Sequence, residues 1–498
     1  MRLPSKALLA LSLFLSAPAA FAQSFETDTL PLDGFALSAE IGGRVSSGSV
    51  SPFWMTAGQG GRRSLAPNAA WTDLRAGYGR TFGIHRLSAV GEAVVETGLK
   101  PVFRLRQAGV RYELPWIRLS LGALDYLEPV DLSPQTSGKM MLSNNAMPIP
   151  MALFQTNGFL AVPFTKGLFS AYLDFSVGRL VEEDYLLGTY PEAREGDFTL
   201  STLWHHKTLY FRIGRSDAAL PLRFTFGGTH AAVWGGRHYQ REERNPSSFK
   251  DFIKVVLGAH GGEDATKSDQ INVLGNQFGQ YLLMLDYTSR SAGTFSLYHH
   301  HIFEDKSGVE WSNGPDGLFG LRWTAPEETW GVRDVTLEYA TTLNQSGIFH
   351  IVKIKRPNGE GRGGGADSYY SNSEYRTGAT YLGMNLGSPL LIGRAYTALP
   401  DYSPLVSHSR ITAWHFGVSG TLLPACGTRY ELKGTYLTSY GNMVYRFPDP
   451  LHSFYGCLRL RQPLPWVSGL SVGAELGADF GSVTPKTFGG ALSLRYDL

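Results

Sequence analysis

Short stretches of alternating apolar and polar residues are the dominant pattern in this chain of 498 residues. From Leu87 to Glu96 the odd positions are apolar or small, whereas the even positions include Ser88 and Glu92. Side chains alternate between the two faces of a β-strand, so this period of two predicts a strand with one apolar and one polar face. The apolar face could meet lipid and the polar face a lumen.

Two further segments repeat the pattern. The apolar positions of 117–123 follow a short turn at Leu114-Pro115-Trp116, which predicts the second arm of a hairpin. In the last segment, one face carries Phe488, Gly490, Leu492, Leu494, Tyr496 and Leu498, and the other carries Ser493, Arg495 and Asp497. A final strand of this kind would suit the closure of a barrel.

The N-terminus has the pattern of a secretion signal. A basic start, the apolar run Ala7–Leu15 and small residues up to Ala22 precede Gln23. We therefore expect residues 1–22 to be a signal peptide that is cleaved between Ala22 and Gln23, and residues 23–498 to form one barrel domain. No cysteine follows the expected cleavage site, which argues against a lipoprotein.

Beyond Gln23 the sequence contains no stretch of about 18 residues that is free of charges and turn residues, so no spanning helix is predicted. A membrane chain without spanning helices must close a barrel. About 475 residues, at roughly 10 per strand plus turns and loops, allow about 16 to 18 strands. We therefore predict an all-β fold, a transmembrane antiparallel β-barrel. The composition, with 12% aromatic residues and 58 glycines, would also suit a soluble secreted β-protein.

The net charge limits the expected partners, and the cysteine content limits the possible disulfides. The formal net charge is +2 without a long run of one sign, so nucleic acid is not an expected partner. The two cysteines, Cys426 and Cys457, lie in neighbouring strand-like segments. Disulfides persist in exported proteins, so a bridge and two separate thiols are both compatible with the sequence.

Polar and irregular segments predict the loops. Residues 355–370 and 240–250 are expected on one rim, the extracellular one. The prolines of 131–150 make that segment a poor central strand, and it would lie inside the barrel or on its periplasmic side. Five aromatic residues would suit the two interfacial girdles, namely Trp116, Tyr172, Tyr287, Trp323 and Tyr436.

Seven residues in turn-like segments have the chemistry of a sugar-binding surface. Aromatic rings stack on the CH faces of sugars, and amides and carboxylates bond to sugar hydroxyls. The candidates are His230, Trp234, Asp269, Asn272, Asn276, Asn313 and Asp316. The alternative is that these side chains satisfy loop backbones and pack the lumen.

Signals for catalysis or a metal are weak. His299, His300 and His301 are adjacent, and in a strand only His299 and His301 could share an ion, so no metal site is predicted. The chain has no G-x-S-x-G elbow. The carboxylates from Glu182 to Asp184 are interpreted as a charged loop. No catalytic residue and no cofactor is therefore predicted.

Six segments together resemble the capsule assembly Wzi family of outer-membrane proteins, in the form found in Bacteroidetes-type bacteria. They are SPFWMTAGQGG at 51–61, SGKMMLSNNAMPIP at 137–150, HAAVWGG at 230–236, DQINVLGNQFGQY at 269–281, FEDKSGVEWSNGPDGLFGL at 303–321 and YYSNSEYRTGATYLGMNLGSPL at 369–390. The segments follow the family order and span nearly the whole mature chain. The family pattern tends to have arginine where this chain has Met147.

The resemblance implies an 18-stranded outer-membrane barrel with a small periplasmic helical element. It implies a non-enzymatic lectin that attaches or assembles capsular or other surface polysaccharide, with outer-membrane lipid as the second partner. Two other functions stay open at this point: a porin or solute channel, and a barrel hydrolase acting on lipid or glycan. Weak binding of a repeating polymer by many protein copies would gain strength from avidity.

Overall fold

The structure is a computed structural model that describes residues 33–98, 101–130, 132–215, 221–239, 244–304, 306–326, 331–345, 353–356, 359–362, 368–397, 405–442 and 445–498. These residues form a closed antiparallel β-barrel of eighteen strands, in which each strand pairs with its neighbours in the chain. The two-residue strand Leu160–Ala161 extends the barrel beside one of them. The expected signal peptide and its cleavage site lie outside the described residues, so they stay a prediction.

The barrel strands are numbered β1 to β18 in chain order. They are Gly34–Ser46, Ala69–Phe82, His85–Glu96, Val102–Glu113, Ile117–Ala123, Pro150–Thr156, Phe169–Arg179, Leu203–Ile213, Leu222–Trp234, Asn276–Ser289, Gly293–Phe303, Gly317–Thr324, Gly331–Thr341, Ile411–Leu423, Thr428–Gly441, Arg446–Pro463, Leu470–Gly481 and Thr487–Asp497. β1 pairs with β2 and also with β18, from Ser38 opposite Asp497 to Ser46 opposite Gly489. The last strand therefore closes the barrel, as its alternation predicts.

The alternation separates lipid-facing from lumenal residues. On β3, Leu87 and Val95 are 48% and 45% exposed, whereas Ser88, Glu92 and Glu96 are each 1% exposed. On β18 the large apolar residues are likewise exposed. Both faces follow the sequence prediction, because every outward position of a barrel strand meets hydrocarbon whatever its neighbours are.

The two ends of the barrel differ in their connections. One end has short turns such as 83–84, 114–116 and 290–292, and both barrel termini lie there. The other end has the long connections 47–68, 124–149, 180–202, 235–275 and 342–410. Outer-membrane barrels have short periplasmic turns and longer extracellular loops, so the long connections mark the extracellular end.

The remaining elements are short. The α-helices, α1 to α5 in chain order, are Glu183–Thr189, Pro191–Arg194, Phe249–Leu257, Lys267–Ile271 and Lys306–Val309. Turns of 3-10 helix are Phe53–Met55 and Pro424–Cys426, and two-stranded ladders join Thr199–Leu200 to Arg237–His238, Lys353–Arg356 to Gly359–Arg362, Thr380–Tyr381 to Met384–Asn385, and Ile392–Gly393 to Val406–His408. No described helix has the length and apolar character needed to span a membrane.

The position of the helices corrects one expectation. The five helices of the described residues all lie in connections at the extracellular end. Within the described residues, none lies at the periplasmic end, where the family resemblance implies a helical element. The expected girdle needs a correction too: Trp116, Tyr287 and Tyr436 are exposed, but Tyr172 is 1% exposed. Tyr172 has the inward parity of β7, because Leu173 beside it faces outward.

Candidate functional site

The connection 47–68 folds into the barrel and is pinned to the wall at β15 and β16. The ring of Phe53 stacks on Tyr455 of β16 with centroids 4.6 Å apart. Trp54 Nε1 donates to Oγ1 of Thr435 on β15 at 3.0 Å. Arg459 on β16 donates to the carbonyl oxygen of Trp54 at 2.6 Å. This connection therefore fills the lumen beside β15 and β16.

The connection 124–149 crosses the lumen. It starts at β5 and reaches β13, eight strands farther round a barrel of eighteen. There the backbone N–H of Ser137 donates to Glu338 of β13 at 2.7 Å. His415 Nε2 of β14 lies 2.7 Å from the carbonyl oxygen of Gln135. Of the two locations that the sequence leaves open for this segment, the structure selects the interior of the barrel.

A third segment, 368–397, packs on the second. Tyr370 donates its hydroxyl to the carbonyl oxygen of Met140. Ser143 Oγ donates to the carbonyl oxygen of Gly387 at 2.6 Å, and Asn145 Nδ2 donates to that of Asn385 at 3.0 Å. We call the inward residues 51–57, 124–130, 132–149, 368–371 and 377–393 the plug. They leave a cavity of about 320 Å³ that is bordered by aromatic and basic side chains, Trp54, Trp204, Lys139 and Lys433 among them.

The lumenal wall beside the plug is held by buried ion pairs. Arg44 on β1 lies 3.3 Å from Glu96, and Arg106 on β4 lies 2.6 Å from Glu92, with all four side chains at most 2% exposed. Arg62 also bonds to Glu92 at 2.8 Å. These carboxylates are the polar face that the alternation of β3 predicts.

Above the plug, ion pairs link three loops at the extracellular mouth. We call residues 182–198, 237–239, 244–245, 372–376 and 394 the cap. Arg237 pairs with Glu183 at 2.6 Å, and Arg376 pairs with Asp197 at 3.1 Å. Arg394 pairs with Glu192 at 2.7 Å, and His238 Nε2 forms a hydrogen bond with Glu374 at 2.9 Å. These side chains are 14% to 38% exposed, so solvent reaches them.

Aromatic rings lie beside these pairs. Tyr185 and Tyr190 meet edge to face with centroids 6.1 Å apart. The guanidinium of Arg394 lies 5.4 Å from the centre of the Tyr190 ring. Tyr190 is 7% exposed and packs in an apolar cluster with Leu186 and Phe198, so the rings form the buried base of the cap. The partly exposed carboxylates and guanidinium groups above this base can form hydrogen bonds with sugar hydroxyls.

Glu182 lies at the base of the cap and is buried. It accepts a hydrogen bond from the backbone N–H of Leu382 at 2.7 Å. Burial raises the pKa of Glu182 to about 7, although this hydrogen bond acts in the opposite direction. The contact between α1 and the plug therefore includes a carboxyl group that titrates near neutral pH.

His230 and Trp234 are not in turns, and they do not face the cap. Both lie on the outer face of β9, beneath α3. His230 Nε2 lies 3.0 Å from Oε1 of Gln277. The indole of Trp234 stacks on Phe252 of α3 with centroids 5.7 Å apart. Their parity on β9 points them at the helix that covers this wall.

Asp269, Asn272 and Asn276 have three different surroundings. Asp269 on α4 is buried and accepts a hydrogen bond from the N–H of Gly275 at 3.3 Å. Burial raises its pKa to about 6. Asn272 is exposed just after α4, and Asn276 begins β10 with its side chain buried. The sequence brings these residues close along the chain, but their side chains do not share a surface.

Asn313 and Asp316 hold the plug in place. Both are 0% exposed. Asn313 Nδ2 donates to the carbonyl oxygen of Ile302 at 2.8 Å, and Asp316 accepts from the N–H of Gln345 at 2.7 Å. Tyr369 joins them: it donates to Asp316 at 3.1 Å. Burial raises the pKa of Asp316 to about 6. Their contacts therefore match the packing alternative.

The cap residues were missed by sequence reasoning. Arg376 lies within the family-like block 369–390, and Glu183 lies in the segment interpreted as a charged loop. Those two signals were available, but neither tells which charges meet. Arg394 and Glu192 are separated by about 200 residues, and only the folded chain joins them.

The two cysteines are separate free thiols. Cys426 lies in the exposed turn between β14 and β15, whereas Cys457 lies buried within β16, opposite Lys433. Gln462 donates to the carbonyl oxygen of Cys426, so five residues of strand separate this level from Cys457. That is roughly 16 Å, well beyond the Cα separation that a disulfide allows. The bridge is therefore excluded, and the separate-thiol alternative stands.

The side chains of the three adjacent histidines alternate between the two faces of β11, as expected in a strand. His299 and His301 share the outer face, with centroids 5.9 Å apart, and the ring of Trp311 stacks on His301 at 3.8 Å. His300 faces inward and is 1% exposed. In the part of the chain that the structure describes, no group of three or more His, Cys, Asp or Glu side chains could hold a metal ion.

Comparisons with known proteins give one family. The profile of the family described as capsule assembly protein Wzi matches residues 63–397. The structure is similar to that of Escherichia coli Wzi, described as an outer membrane protein involved in group 1 capsule assembly and as a carbohydrate-binding β-barrel, with a TM-score of 0.55 and 14% identity over 92% of this chain and 83% of that chain. At this identity the likeness concerns the fold alone.

Barrels of Pseudomonas aeruginosa are less similar. OccK5 (OpdH) matches with a TM-score of 0.47 and 9% identity, over 94% of this chain and 99% of that chain. OpdQ matches with a TM-score of 0.46 and 10% identity, over the same shares. These scores are too low to support a function. A search of curated protein sequences gave no match.

Proposed function

The chain belongs to the Wzi family of capsule assembly proteins, and from this we propose that it is a non-enzymatic, lectin-like protein that attaches or assembles capsular or other surface polysaccharide at the cell surface. It is a β-barrel of the bacterial outer membrane. The Escherichia coli relative is described as carbohydrate-binding, which supports the same role here.

The observation that carries the proposal is the combination of a plugged lumen with a polar, partly exposed cap at its outer mouth. Trp54 and Tyr370 of the plug are each 1% exposed. A barrel filled in this way favours binding at its surface over passage through its lumen. The porin alternative is therefore less well supported than the lectin.

The cap offers groups that suit a polysaccharide. Arg376 and Arg394 supply donors in a fixed fork geometry that matches carboxylates. Their acidic partners are held within 3.1 Å, so the donors are oriented before a ligand arrives. Contacts at this level of exposure bind a few sugars weakly. Many copies of the protein on one cell would hold a repeating polymer by avidity.

The test is to delete the gene and compare cell-bound with shed polysaccharide, with the wild-type chain restored as control. Polysaccharide that is still made but moves from the cells to the medium would support attachment. Unchanged cell-bound polysaccharide would contradict the proposal. Conductance of the purified protein in a planar bilayer distinguishes the channel alternative from the lectin, because a plugged barrel should conduct little. Release of product from labelled lipid or glycan would be needed to support a hydrolase.

A matched pair of variants then tests the cap. R376A and R394A together remove two donors, and we expect polysaccharide to be shed although the protein remains in the membrane. The control is R290A, which removes an exposed arginine from the periplasmic turn between β10 and β11. If cells with the two variants retain equal amounts of polysaccharide, the polysaccharide binds outside the cap.

A further inference from the structure

α3 lies on the outside of the barrel wall. Its residue Phe252 packs on Phe175 of β7, His205 of β8 and Trp234 of β9, with ring centroids 5.6 to 6.2 Å apart. Phe175, His205 and Trp234 all have outward parity, whereas the next residue inward, Trp204, belongs to the lumenal core. Two separate apolar clusters, one on each side of the wall, therefore share these strands.

The sequence specifies this helix locally. Ser248 and Asp251 form a capping box: Asp251 N–H donates to Ser248 Oγ at 3.3 Å, and Ser248 N–H donates to Asp251 Oδ2 at 3.0 Å. Gly258 ends the helix in the left-handed conformation at φ 64°. Between these caps, Phe252 and Val255 face the barrel.

The wall beneath α3 is polar, which is unusual for a lipid-facing surface. Lys207 points outward from β8 and donates its Nζ to the carbonyl oxygen of Val256, at the C-terminal end of α3. Gln277 donates to the carbonyl oxygens of Leu274 and Val255 at 2.8 and 3.5 Å. A lysine on the lipid face of a barrel is destabilising, most of all near the midplane and less toward the interface. α3 therefore covers groups that lipid would not accept.

The opposite face of α3 is apolar and exposed. Phe249, Ile253 and Leu257 recur every four residues and are 78%, 41% and 73% exposed. Ile271 of α4 is 75% exposed nearby in the same connection. Lys250 follows Phe249 by one residue and lies at one edge of the stripe, whereas Lys254 next to it pairs with Asp251 at 3.6 Å.

The stripe is at the level of the membrane. Lys207 is four residues below the extracellular end of β8, about 13 Å of strand, and the C-terminal end of α3 reaches it. Immediately below, Leu209 and Phe211 of the same face are exposed and belong to the lipid-facing band. The apolar stripe of α3 thus continues that band upward.

From this geometry we propose that α3 is an interfacial helix that binds the outer leaflet: Phe249, Ile253 and Leu257 insert among acyl chains, and Lys250 reaches the phosphate groups above them. An amphipathic helix with an apolar face and a lysine edge has the composition that interfacial binding requires. The partner is the lipid of the outer leaflet. The inference rests on the outer-membrane location and not on polysaccharide binding.

The test is spin-label accessibility of the full chain in phosphatidylglycerol-containing nanodiscs. Cysteines are introduced singly at 249, 253 and 257 in a C426S, C457A background, and collision with oxygen is compared with collision with a water-soluble nickel chelate. We expect oxygen to dominate at all three positions, as at a label on Leu283 in the lipid-facing band. A label at Asp184 in the cap serves as the aqueous reference.

Dominance of the nickel chelate at the three positions, matching Asp184, would overturn the proposal. A labelled protein is included only if its heat-modifiable electrophoretic mobility equals that of the wild type. If the cysteine-free background fails this check, a photo-crosslinking residue at Leu257 in the native sequence replaces the labels. Crosslinks to lipid would then support the proposal, and crosslinks to protein or none would overturn it. Loss of polysaccharide attachment would bear on the proposed function alone.

Discussion

Arginine–carboxylate pairs occur in two regions of the molecule, and their surroundings are opposite. In the lumen, Arg106 and Glu92 are 2% and 1% exposed. In the cap, Arg237 and Glu183 are 38% and 29% exposed, yet the separation in both pairs is 2.6 Å. Distance alone therefore does not distinguish a structural pair from a pair that a ligand can reach.

Burial decides what each pair does. Removing one member of a buried pair leaves an uncompensated charge and costs about 3 to 5 kcal/mol, whereas an exposed pair contributes about 0 to 1 kcal/mol. The lumenal pairs thus maintain the wall behind the plug. The cap pairs contribute little to stability, so they can exchange partners with a ligand.

The largest expected effect comes from breaking the buried network. E92A leaves Arg62 and Arg106 without this carboxylate, and because Asp125 still pairs with Arg106 we expect the free energy of unfolding to fall by about 3 kcal/mol, the lower end of the range for a broken buried pair. Urea unfolding in micelles, followed by tryptophan fluorescence, measures it. The matched control is E183A in the cap, expected to change stability by at most about 1 kcal/mol. Equal losses in the two variants would remove the distinction between the regions.

Glu182 sharpens the comparison because it is a buried carboxyl within the cap. Its pKa is raised from 4.5 to about 7, so the folded state binds this proton more tightly than the unfolded state does. Stability that is present below about pH 4.5 is therefore lost as the pH rises through about 7. E182Q should flatten this decline in unfolding curves measured across that range. D184N, which alters an exposed neighbour, is the control, and an unchanged decline in E182Q would contradict the assignment.

A smaller effect on stability is expected from the cap itself. R394A releases Glu192, and both side chains are less than a third exposed. We expect a change of at most about 1 kcal/mol in unfolding free energy, together with weaker retention of polysaccharide. A loss of stability as large as that of E92A would mean that the cap is a structural lid and not a binding surface.

The thiols should give the smallest effect. Cys426 is exposed and Cys457 is buried, so a maleimide should label one thiol in the folded protein and two after unfolding. Reductant should not change the unfolding midpoint, and C426S should behave as the wild type. A shift in electrophoretic mobility that depends on reductant would show that the two thiols form a disulfide.

Much of the barrel could be predicted because its strongest constraint is local. Leu87 and Val95 face lipid, and Glu92 and Glu96 face the lumen, according to position parity alone. The same rule described β18 and its pairing with β1. Position parity identifies the face of a residue only when the strand register is known. The sequence does not give the register around Tyr172, so this residue is expected in a girdle, whereas it lies in the lumen.

The candidate site was less predictable, because its residues meet across long stretches of chain. Trp234 and His230 have sugar-binding chemistry, yet α3 covers them. Asp316 supports Tyr369 of the plug. The cap joins Arg394 to Glu192 and Arg376 to Asp197, pairs that no local pattern links.

The sequence by itself determined the strands, their lipid-facing sides and the family, since an apolar environment constrains every second residue and family motifs are contiguous. Only the tertiary structure decided which loops enter the lumen, which helix covers the outer wall and which charges meet at the mouth. Those outcomes depend on contacts between residues about 200 positions apart, such as Ser137 with Glu338. Burial then gives the arginine–carboxylate pairs a structural role in the lumen and leaves those of the cap accessible to a ligand.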